Sequence, residues 1–587
     1  MSRPDTGTDL LNSLSPELSQ RLKELMDQAL LGFIRPNSTS QFAQHAPVLA
    51  RFCETIAYSD SKDDIQFLRS FREFVPTTDY EPYKPYIAKF FATHCNESDV
   101  KNLLAPGLPY FIGISSMTSG KTVKTFPIYM LAPHMFHHPL YPSIPHSEGN
   151  ALSPSSLGLW QVLKMYCEDG QSSKMLSVCS ATAGYQRMKL NWDVEHDMDR
   201  LGLWVPKQTV PHAISLVKSY RTFFILSALF ALADRRVTII RFLFASVFVN
   251  FLQYIEDEWT LLIDCIEKGI IPDIDNLDHV REPLEKHLTP NPLRAAELRE
   301  IGPPGVQGWA VHVWPDLEKF IGVTGGPAQA ASIPKVTHTL GPSVAMQAPC
   351  YGSTECHIAI PYFNGDPNTD FKVIPVDGVT EYLDVHSNEP SERVLSAWEL
   401  VTGGHYEPVL TTRNGLWRYR IGDVVAVKGF APDDGLPVIN YLHRRDGSLG
   451  LEYGSVCTES ELTNAIVSAS KRWIGQIVDF TIVADDRDAP ITHGYLVEIE
   501  GEIGKDAKMA PQQTYDDLLK NSSFALDFLQ GRARSPTIRI VERGTFREYR
   551  RQKCDKANIS IAQVKIPIVL SDATFKEWLL QRIIMEL

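Results

Sequence analysis

The chain has 587 residues, 44% of them hydrophobic, with a formal net charge of −13 and a sequence pI near 5.7. One hydrophobic core does not keep growing at this length, so we expect a large domain and at least one smaller domain. The acidic balance and the lack of a basic stripe in the sequence argue against nucleic acid or an anionic membrane surface as the main partner.

The beginning of the chain is polar and then helical. The stretch "MSRPDTGTDLLNSLSPELSQRL" has no apolar segment behind its charges, so we expect no signal peptide and a cytoplasmic protein. Its Ser-Pro step predicts a helix start, and residues 1 to about 100 are predicted to be mainly helical. The nine cysteines are scattered with no C-x-x-C pair, which favours reduced thiols over a disulfide framework or a zinc site. A monomer is the default expectation.

A hydroxyl-rich segment follows, "FIGISSMTSGKTVKTFP" at residues 111–127. Its apolar start predicts a strand that runs into a turn containing Ser115, Ser116, Thr118 and Ser119. The amides and hydroxyls of such a turn could wrap a phosphate. The spacing is not that of a P-loop, and an ordinary polar turn between strands is the alternative for this segment taken alone.

The most apolar segment is "FFILSALFALADRRVTIIRFLFASVFVNFLQYI", residues 223–255. Charges interrupt it at Asp234 and again at Arg241, so neither half has the ~20 uninterrupted apolar residues that a bilayer span needs. We expect two buried core helices here. The next stretch, "EDEWTLLIDCIEKG", keeps a helical period and is predicted to end at Gly269.

Short β-rich runs dominate the middle of the chain. "VWPDLEKFIGVTGG" and "APCYGSTECHIAIPYF" each predict a strand beside a turn, and "LWRYRIGDVVAVKGF" alternates like a strand. Strands alternating with helices predict an α/β fold with an α+β C-terminal part. A Pro/Gly/Asp loop after Phe430 suggests three parts: a large domain at 1–430, a linker at 431–446 and a small mobile domain at 447–587.

Two short motifs combine groups that suit a nucleotide. "YGSTE", Tyr351 to Glu355, places an aromatic ring, two hydroxyls and a carboxylate on one turn. Such a turn could stack a purine, donate to a phosphate and hold Mg²⁺. "YRIGD" ends in Asp423, which could accept hydrogen bonds from two ribose hydroxyls. Each motif taken alone is more typical of an ordinary turn.

Taken in order, "SSMTSGKTVK", "YGSTE" and "YRIGD" carry a resemblance to a known family. The chain resembles the Gretchen Hagen family of acyl acid amido synthetases. That family has a Ser-Ser-Gly-Thr-Thr/Ser-x-Gly-x-x-Lys loop, then Tyr-Gly-Ser/Ala-Ser/Thr-Glu, then Tyr-Arg-Val-Gly-Asp. It is similar to firefly luciferase, acyl-CoA synthetases and peptide synthetase adenylation domains. The likeness spans about Phe71 to Pro567.

The resemblance implies the adenylate-forming enzyme fold, with a large multi-layer N-terminal domain and a small hinged C-terminal domain. It implies a two-step reaction. A small carboxylic acid and MgATP give an acyl adenylate and pyrophosphate, and an amine, usually an amino acid, then takes the acyl group with release of AMP. The cofactors would be ATP and Mg²⁺. A thiol or alcohol acceptor is the alternative within the superfamily.

The resemblance also implies roles for the first two motifs. Ser115, Ser116, Thr118 and Ser119 would form the phosphate loop, with Lys124 as the charge partner of the departing pyrophosphate. These assignments place hydroxyls and one cation around the triphosphate, where negative charge accumulates.

In the second motif the resemblance places Tyr351 against the adenine, with Gly352 and Ser353 in the same turn. Thr354 would donate to the α-phosphate, and Glu355 would bind Mg²⁺. Both Thr354 and Glu355 are therefore expected to take part in catalysis.

The remaining implied positions flank the nucleotide or move with the small domain. Asp423 would hold the ribose, and the turn Thr324, Gly325 and Gly326 would lie beside the nucleotide. Lys565 would swing towards the α-phosphate during adenylation. Arg444 and Asp446 match the hinge, about which the small domain would rotate between the two half-reactions.

The phosphate loop departs from the family pattern. Met117 stands where the family has a glycine, and Lys121 stands at its second glycine position. Glycine in such a loop allows positive φ or a close backbone approach to phosphate, and methionine allows neither cheaply. The third alternative is therefore a descendant that binds a small acid or nucleotide without catalysis. Against it, Glu355, Asp423 and Lys565 are all in place.

Overall fold

The computed structural model describes residues 9–57, 63–115, 123–129, 149–154, 157–169, 171–387, 393–445, 447–451, 455–557 and 564–587. The helices of these residues are α1 (Pro16–Asn37), α2 (Gln41–His45), α3 (Ala50–Ala57), α4 (Asp64–Phe74), α5 (Lys84–Ile87), α6 (Glu97–Val100), α7 (Ala181–Leu190), α8 (Tyr220–Ala233), α9 (Ala245–Asp257), α10 (Trp259–Lys268), α11 (Arg281–Glu285), α12 (Pro292–Ile301), α13 (Trp309–Val313), α14 (Ile333–Leu340), α15 (Glu459–Ala469), α16 (Ala510–Leu518), α17 (Ser522–Leu529), α18 (Thr545–Ala557) and α19 (Ala573–Leu580).

The strands are β1 (Cys95–Asn96), β2 (Pro109–Ile114), β3 (Thr125–Tyr129), β4 (Asn150–Leu152), β5 (Leu159–Tyr166), β6 (Ser173–Ser180), β7 (Val237–Phe244), β8 (Lys319–Val323), β9 (Ala345–Gln347), β10 (Tyr351–Gly352), β11 (His357–Pro361), β12 (Asp370–Val373), β13 (Gly378–Asp384), β14 (Val394–Leu395), β15 (His405–Thr412), β16 (Tyr419–Arg420), β17 (Asp423–Phe430), β18 (Pro437–Arg444), β19 (Ser448–Gly450), β20 (Val456–Thr458), β21 (Gln476–Asp485), β22 (Thr492–Glu500), β23 (Thr537–Val541) and β24 (Ile583–Glu586).

The helix start predicted at the Ser-Pro step is confirmed. The Ser15 side chain caps α1 by accepting a hydrogen bond from the backbone N–H of Leu18, and Pro16 occupies the first turn, where a missing N–H does no harm. The buried residues of α1 recur at helical spacing and face the strands of the large domain: Leu22, Met26, Leu30, Phe33 and Ile34. The predicted end of α10 is also confirmed, because Gly269 takes a left-handed conformation there.

Three sheets build the large domain. A five-stranded sheet has the order β1-β5-β6-β2-β3, a nine-stranded sheet has the order β10-β11-β12-β18-β17-β15-β13-β14 with β16 paired to β15, and a parallel sheet has the order β4-β7-β8-β9. One hydrophobic core joins the N-terminal helices to the first two sheets, and a second joins α8 to α14 with the parallel sheet. The predicted α/β layering is therefore present.

The prediction of two buried helices in the apolar segment 223–255 is confirmed by α8 and α9, but the strand between them was not anticipated. Helix α8 ends at Ala233, strand β7 follows, and α9 begins at Ala245. Strand β7 lies between β4 and β8 in the parallel sheet. A strand covered on both faces has a continuous apolar sequence, which periodicity alone cannot distinguish from a buried helix. No helix among the described residues is long and apolar enough to be a membrane span.

The small C-terminal domain is α+β, as predicted, with the sheet β21-β22-β23-β24 and helices α15 to α19. Residues 437–444, predicted as linker, are instead strand β18, which pairs with β12 and β17 of the large domain. The small domain also contacts the large one, since Val564 belongs to the core around α8 and Ala331 belongs to the core of the small domain. All nine cysteines are among the described residues, and none of them forms a disulfide.

Candidate active site

Asp423 is the centre of the site. It begins β17 and lies directly opposite Arg444 at the end of β18. The Tyr351 Oη donates to its Oδ2 at 2.8 Å, and the Arg444 Nη1 donates to its Oδ1 at 3.0 Å. Burial raises the pKa of Asp423, and the positive charges of Arg444 and Lys565 oppose this effect. Strand pairing thus gathers residues that lie far apart in the sequence around one buried carboxylate.

Lys565 belongs to the small domain, yet its ammonium group reaches this cluster. Burial lowers the pKa of Lys565 to about 8, and the negative charge of Asp423 acts in the opposite direction. The Lys565 Nζ also lies 3.9 Å from the centroid of the Phe244 ring. The large and small domains therefore contribute to the same site in this conformation.

The turn Ser353 to Glu355 lies against strand β2. The Thr354 Oγ1 donates to the carbonyl of Ile114 at 3.1 Å. A Cβ added at Gly113 would lie 2.8 Å from the Thr354 Cγ2, so the glycine permits this close approach. Burial raises the pKa of Glu355, and a hydrogen bond with Ser353 and the charge of Lys124 oppose it.

The ends of the predicted phosphate loop are held together at its base. The Ser115 backbone N–H donates to the carbonyl of Lys124 at 2.9 Å, and the Lys124 N–H donates to the Ser115 Oγ at 3.2 Å. The Lys124 Nζ donates to the Tyr419 Oη at 3.3 Å. The other predicted loop residues, Ser116, Thr118 and Ser119, lie outside the described residues, as do Met117, Lys121 and the hinge residue Asp446.

The turn Thr324, Gly325 and Gly326 directly follows β8, at the carboxyl edge of the parallel sheet. The Thr324 Oγ1 donates to the Asn368 Oδ1 at 3.0 Å. Gly326 has a φ of +83°, and a Cβ there would lie 2.9 Å from the Tyr441 ring. In α/β sheets, ligands commonly bind beyond the carboxyl ends of the strands.

Two aromatic residues near the cluster were not anticipated from the sequence. The Tyr441 ring lies between the Gly326 turn and Tyr351, with a centroid separation of 6.1 Å from the Tyr351 ring. Phe244 ends β7 beneath Lys565. No motif marks either residue. The sequence signal for Tyr441 was only its closeness to Arg444, three positions later.

The donor set fits a magnesium nucleotide. Hydroxyls, three cations and two buried carboxylates come together, and Arg444 acts on the pKa of both Glu355 and Asp423. Within the described ranges no group of three or more His, Cys, Asp or Glu side chains forms a metal cluster. A single carboxylate plus substrate phosphate oxygens is the arrangement that Mg²⁺ commonly adopts.

Three family models match the chain: the GH3 family N-terminal domain at residues 19–343, the central domain at 371–444 and the C-terminal domain at 460–574. The first alone matches more than half of the 587 residues. The indole-3-acetic acid-amido synthetase GH3.15 of Arabidopsis thaliana is 23% identical and covers 94% of this chain and 91% of its own. The probable indole-3-acetic acid-amido synthetase GH3.1 of Oryza sativa subsp. japonica is 26% identical, with coverages of 86% and 82%.

Solved structures support the same fold. The GH3.15 acyl acid amido synthetase superposes with a TM-score of 0.75 at 21% identity, over 97% of this chain and 95% of that one. A 2-hydroxyisobutyryl-CoA ligase in its postadenylation state gives a TM-score of 0.51 at 11% identity, over 99% and 96%. The adenylate-forming fold implied by the resemblance is thereby confirmed. Since the family models together match most of its length, the chain belongs to the GH3 family.

Proposed function

We propose that this protein is an ATP-dependent ligase that adenylates a small carboxylic acid and transfers the acyl group to an amine, forming an amide. The observation that carries this proposal is the meeting of Tyr351, Asp423, Arg444 and Lys565 at one buried site built from both domains. An amino acid is the proposed amine, since the relatives are named as amido synthetases.

The first half-reaction requires a carboxylate to approach an anionic α-phosphate and expel pyrophosphate. Its main physical problem is the accumulation of negative charge. We assign Lys565 and the Thr354 hydroxyl to the α-phosphate and Lys124 to the departing pyrophosphate. The buried carboxylate of Asp423 would accept hydrogen bonds from the ribose, with Tyr351 and Tyr441 flanking the adenine.

Glu355 is the proposed Mg²⁺ ligand. When bound, the ion would neutralise charge on the phosphate oxygens. The residues suit this role because Glu355 is buried, which makes an unpaired negative charge unfavourable there. Ser115, Ser116, Thr118 and Ser119 remain the proposed phosphate loop, whose base is closed by the backbone bond between Ser115 and Lys124.

The second half-reaction would need Lys565 to leave the site so that the amine can enter. We propose a large domain up to Arg444, a short hinge that includes Asp446 and a small domain from residue 447. The hinge is placed after β18 because that strand is paired on both edges within the large domain. A monomer fits this scheme, because both domains of one chain supply the site.

Acid-dependent pyrophosphate exchange tests the proposal. The assay would use MgATP, a panel of aromatic, indolic and aliphatic acids that includes indole-3-acetic acid, and hydroxylamine to trap activated acyl groups. We expect at least one acid to give exchange and a hydroxamate. Glu355→Gln should reduce the exchange by at least 100-fold, and the exposed Glu282→Gln on α11 should not.

Two results would contradict the proposal. Full exchange by Glu355→Gln at matched Mg²⁺ would remove Glu355 from the mechanism. No exchange with any acid, together with no ATP binding in calorimetry, would favour the non-catalytic alternative that Met117 raises. Product mass with an amino acid, a thiol or an alcohol present separates an amide from the other acyl products.

A further inference from the structure

Phe244 occupies an unusual place in the site. It is the last residue of β7 and immediately precedes α9, and its side chain is 5% exposed. It pairs in register with Val323, which directly precedes the Thr324 turn. The ring is therefore fixed at the carboxyl edge of the parallel sheet, and the Lys565 ammonium lies over it with the Nζ 3.9 Å from the centroid.

The charges around Lys565 only partly offset the effect of its burial on the pKa. Asp423 and Glu459 favour the ammonium form, Arg444 opposes it, and burial outweighs them in lowering the pKa of Lys565. Asp423 already accepts hydrogen bonds from Tyr351 and Arg444. An aromatic face attracts a cation, and the attraction grows when water is excluded. Phe244 thus supplies an interaction that favours the charged lysine without competing for Asp423.

The geometry points to Phe244 as the positioning residue that seats the Lys565 ammonium for adenylation. This inference rests on the proposed function of Lys565. The inference predicts that the two half-reactions differ in their need for Phe244. The ring matters while the small domain places Lys565 in the site, and it has no role once the lysine has left. Phe244 acts through Lys565 and does not need to touch the acid.

The test compares Phe244→Leu, which removes the ring, with Phe244→Tyr, which keeps it. Phe242→Leu is the matched control, because Phe242 is an equally buried ring on the same strand that packs on Phe248 and Phe251. We expect Phe244→Leu to lower kcat for acid-dependent pyrophosphate exchange at least tenfold with the KM for the acid unchanged. Phe244→Tyr and Phe242→Leu should stay within about threefold of the unchanged protein. Amide formation from a supplied acyl adenylate should be unaffected in all three variants.

A second readout does not depend on turnover. Reductive methylation with ¹³C-formaldehyde gives each lysine an NMR signal that can be titrated, and Lys565→Arg identifies the signal of Lys565. Loss of the ring should move its midpoint about one pH unit towards acid, since the aromatic face favours the cation. Phe242→Leu should leave the midpoint in place.

The outcomes separate the inference from the function on which it rests. One outcome would overturn the inference and leave the proposed function intact. In that outcome Lys565→Ala loses exchange, while Phe244→Leu keeps normal exchange and an unchanged titration midpoint. A raised KM for the acid with unchanged kcat in Phe244→Leu would also overturn the inference, because Phe244 would then contact the bound acid. If the unchanged protein shows no exchange, the proposed function fails, and the titration alone decides whether Phe244 seats the lysine.

Discussion

The contact between the two domains includes an ion pair whose removal should have a measurable effect. The Lys335 Nζ on α14 of the large domain lies 2.5 Å from the Glu500 Oε1, at the end of β22 of the small domain. Their side chains are 15% and 33% exposed. Arg547 reinforces the same interface by pairing with Asp257. We predict that Glu500→Lys shifts the small domain away from the docked arrangement.

The magnitude follows from the burial of the pair. Exposed ion pairs contribute about 0.2–1 kcal/mol, and breaking a buried pair costs about 3–5 kcal/mol. The pair between Lys335 and Glu500 is intermediate in burial, so its loss should cost about 1.5 kcal/mol. Glu500→Lys also places two positive charges together, so this cost is a lower limit. Since about 1.4 kcal/mol corresponds to a factor of ten, the undocked population should rise at least tenfold.

Trypsin cleavage after Arg445 offers an assay that needs no substrate. In the docked structure the Arg445 N–H donates to the carbonyl of Gly422 at 2.7 Å and its guanidinium pairs with Glu407, so the start of the hinge is held. When opening is fast, the cleavage rate follows the open population. We expect Glu500→Lys to be cut at least ten times faster than the unchanged protein.

The charge-swapped double variant provides the decisive control. Lys335→Glu combined with Glu500→Lys restores opposite charges across the interface and should return the cleavage rate to within about threefold of the unchanged protein. Glu282→Lys, which breaks the exposed pair between α11 and the following residue Lys286, should have no effect. The reasoning is refuted if the double variant is cut as fast as Glu500→Lys alone.

Three further predictions concern the site and its support. Asp423→Asn should weaken ATP binding about 30- to 150-fold in calorimetry, since it replaces charge-assisted hydrogen bonds worth about 2–3 kcal/mol. Asp433→Asn, which removes one charge of an exposed ion pair, should leave ATP binding unchanged. Arg418→Met should destabilise the large domain by about 3–5 kcal/mol in urea unfolding, because it leaves the buried Glu381 unpaired. Adding Glu381→Gln should recover part of that loss, and no recovery would contradict the account. The role proposed for Lys565 requires its charged form, and burial lowers its pKa to about 8. We therefore expect kcat/KM for exchange to fall about tenfold per pH unit above that value, and Lys565→Arg to abolish this decline.

The sequence motifs indicated which distant residues would lie together, but not the path of the chain around them. The resemblance carried by "YGSTE" and "YRIGD" implied that Tyr351 and Asp423 contact one nucleotide. In the structure the Tyr351 Oη donates a hydrogen bond to the Asp423 Oδ2 at 2.8 Å. Strand β7 was missed because a strand buried on both faces has no alternation. Strand β18 was missed because its partner β12 is distant in the sequence, so no local signal marks the pairing.

The roles of individual site residues stay predictions, and so does the state of the phosphate loop. What the sequence could not supply was the position of side chains that belong to no motif. Phe244 is one phenylalanine in a segment rich in them, and only the three-dimensional structure singles it out beneath Lys565.

The facing of Asp423 and Arg444 across neighbouring strands has a mechanical consequence. Arg444 is the final residue of β18. The backbone N–H of the next residue, Arg445, donates a hydrogen bond to the carbonyl of Gly422, which directly precedes Asp423. A rotation of the small domain that pulls on the chain would therefore first displace the backbone next to Asp423, the carboxylate assigned to the ribose. Nucleotide exchange and domain rotation would then be coupled through two adjacent backbones, with no longer relay between them.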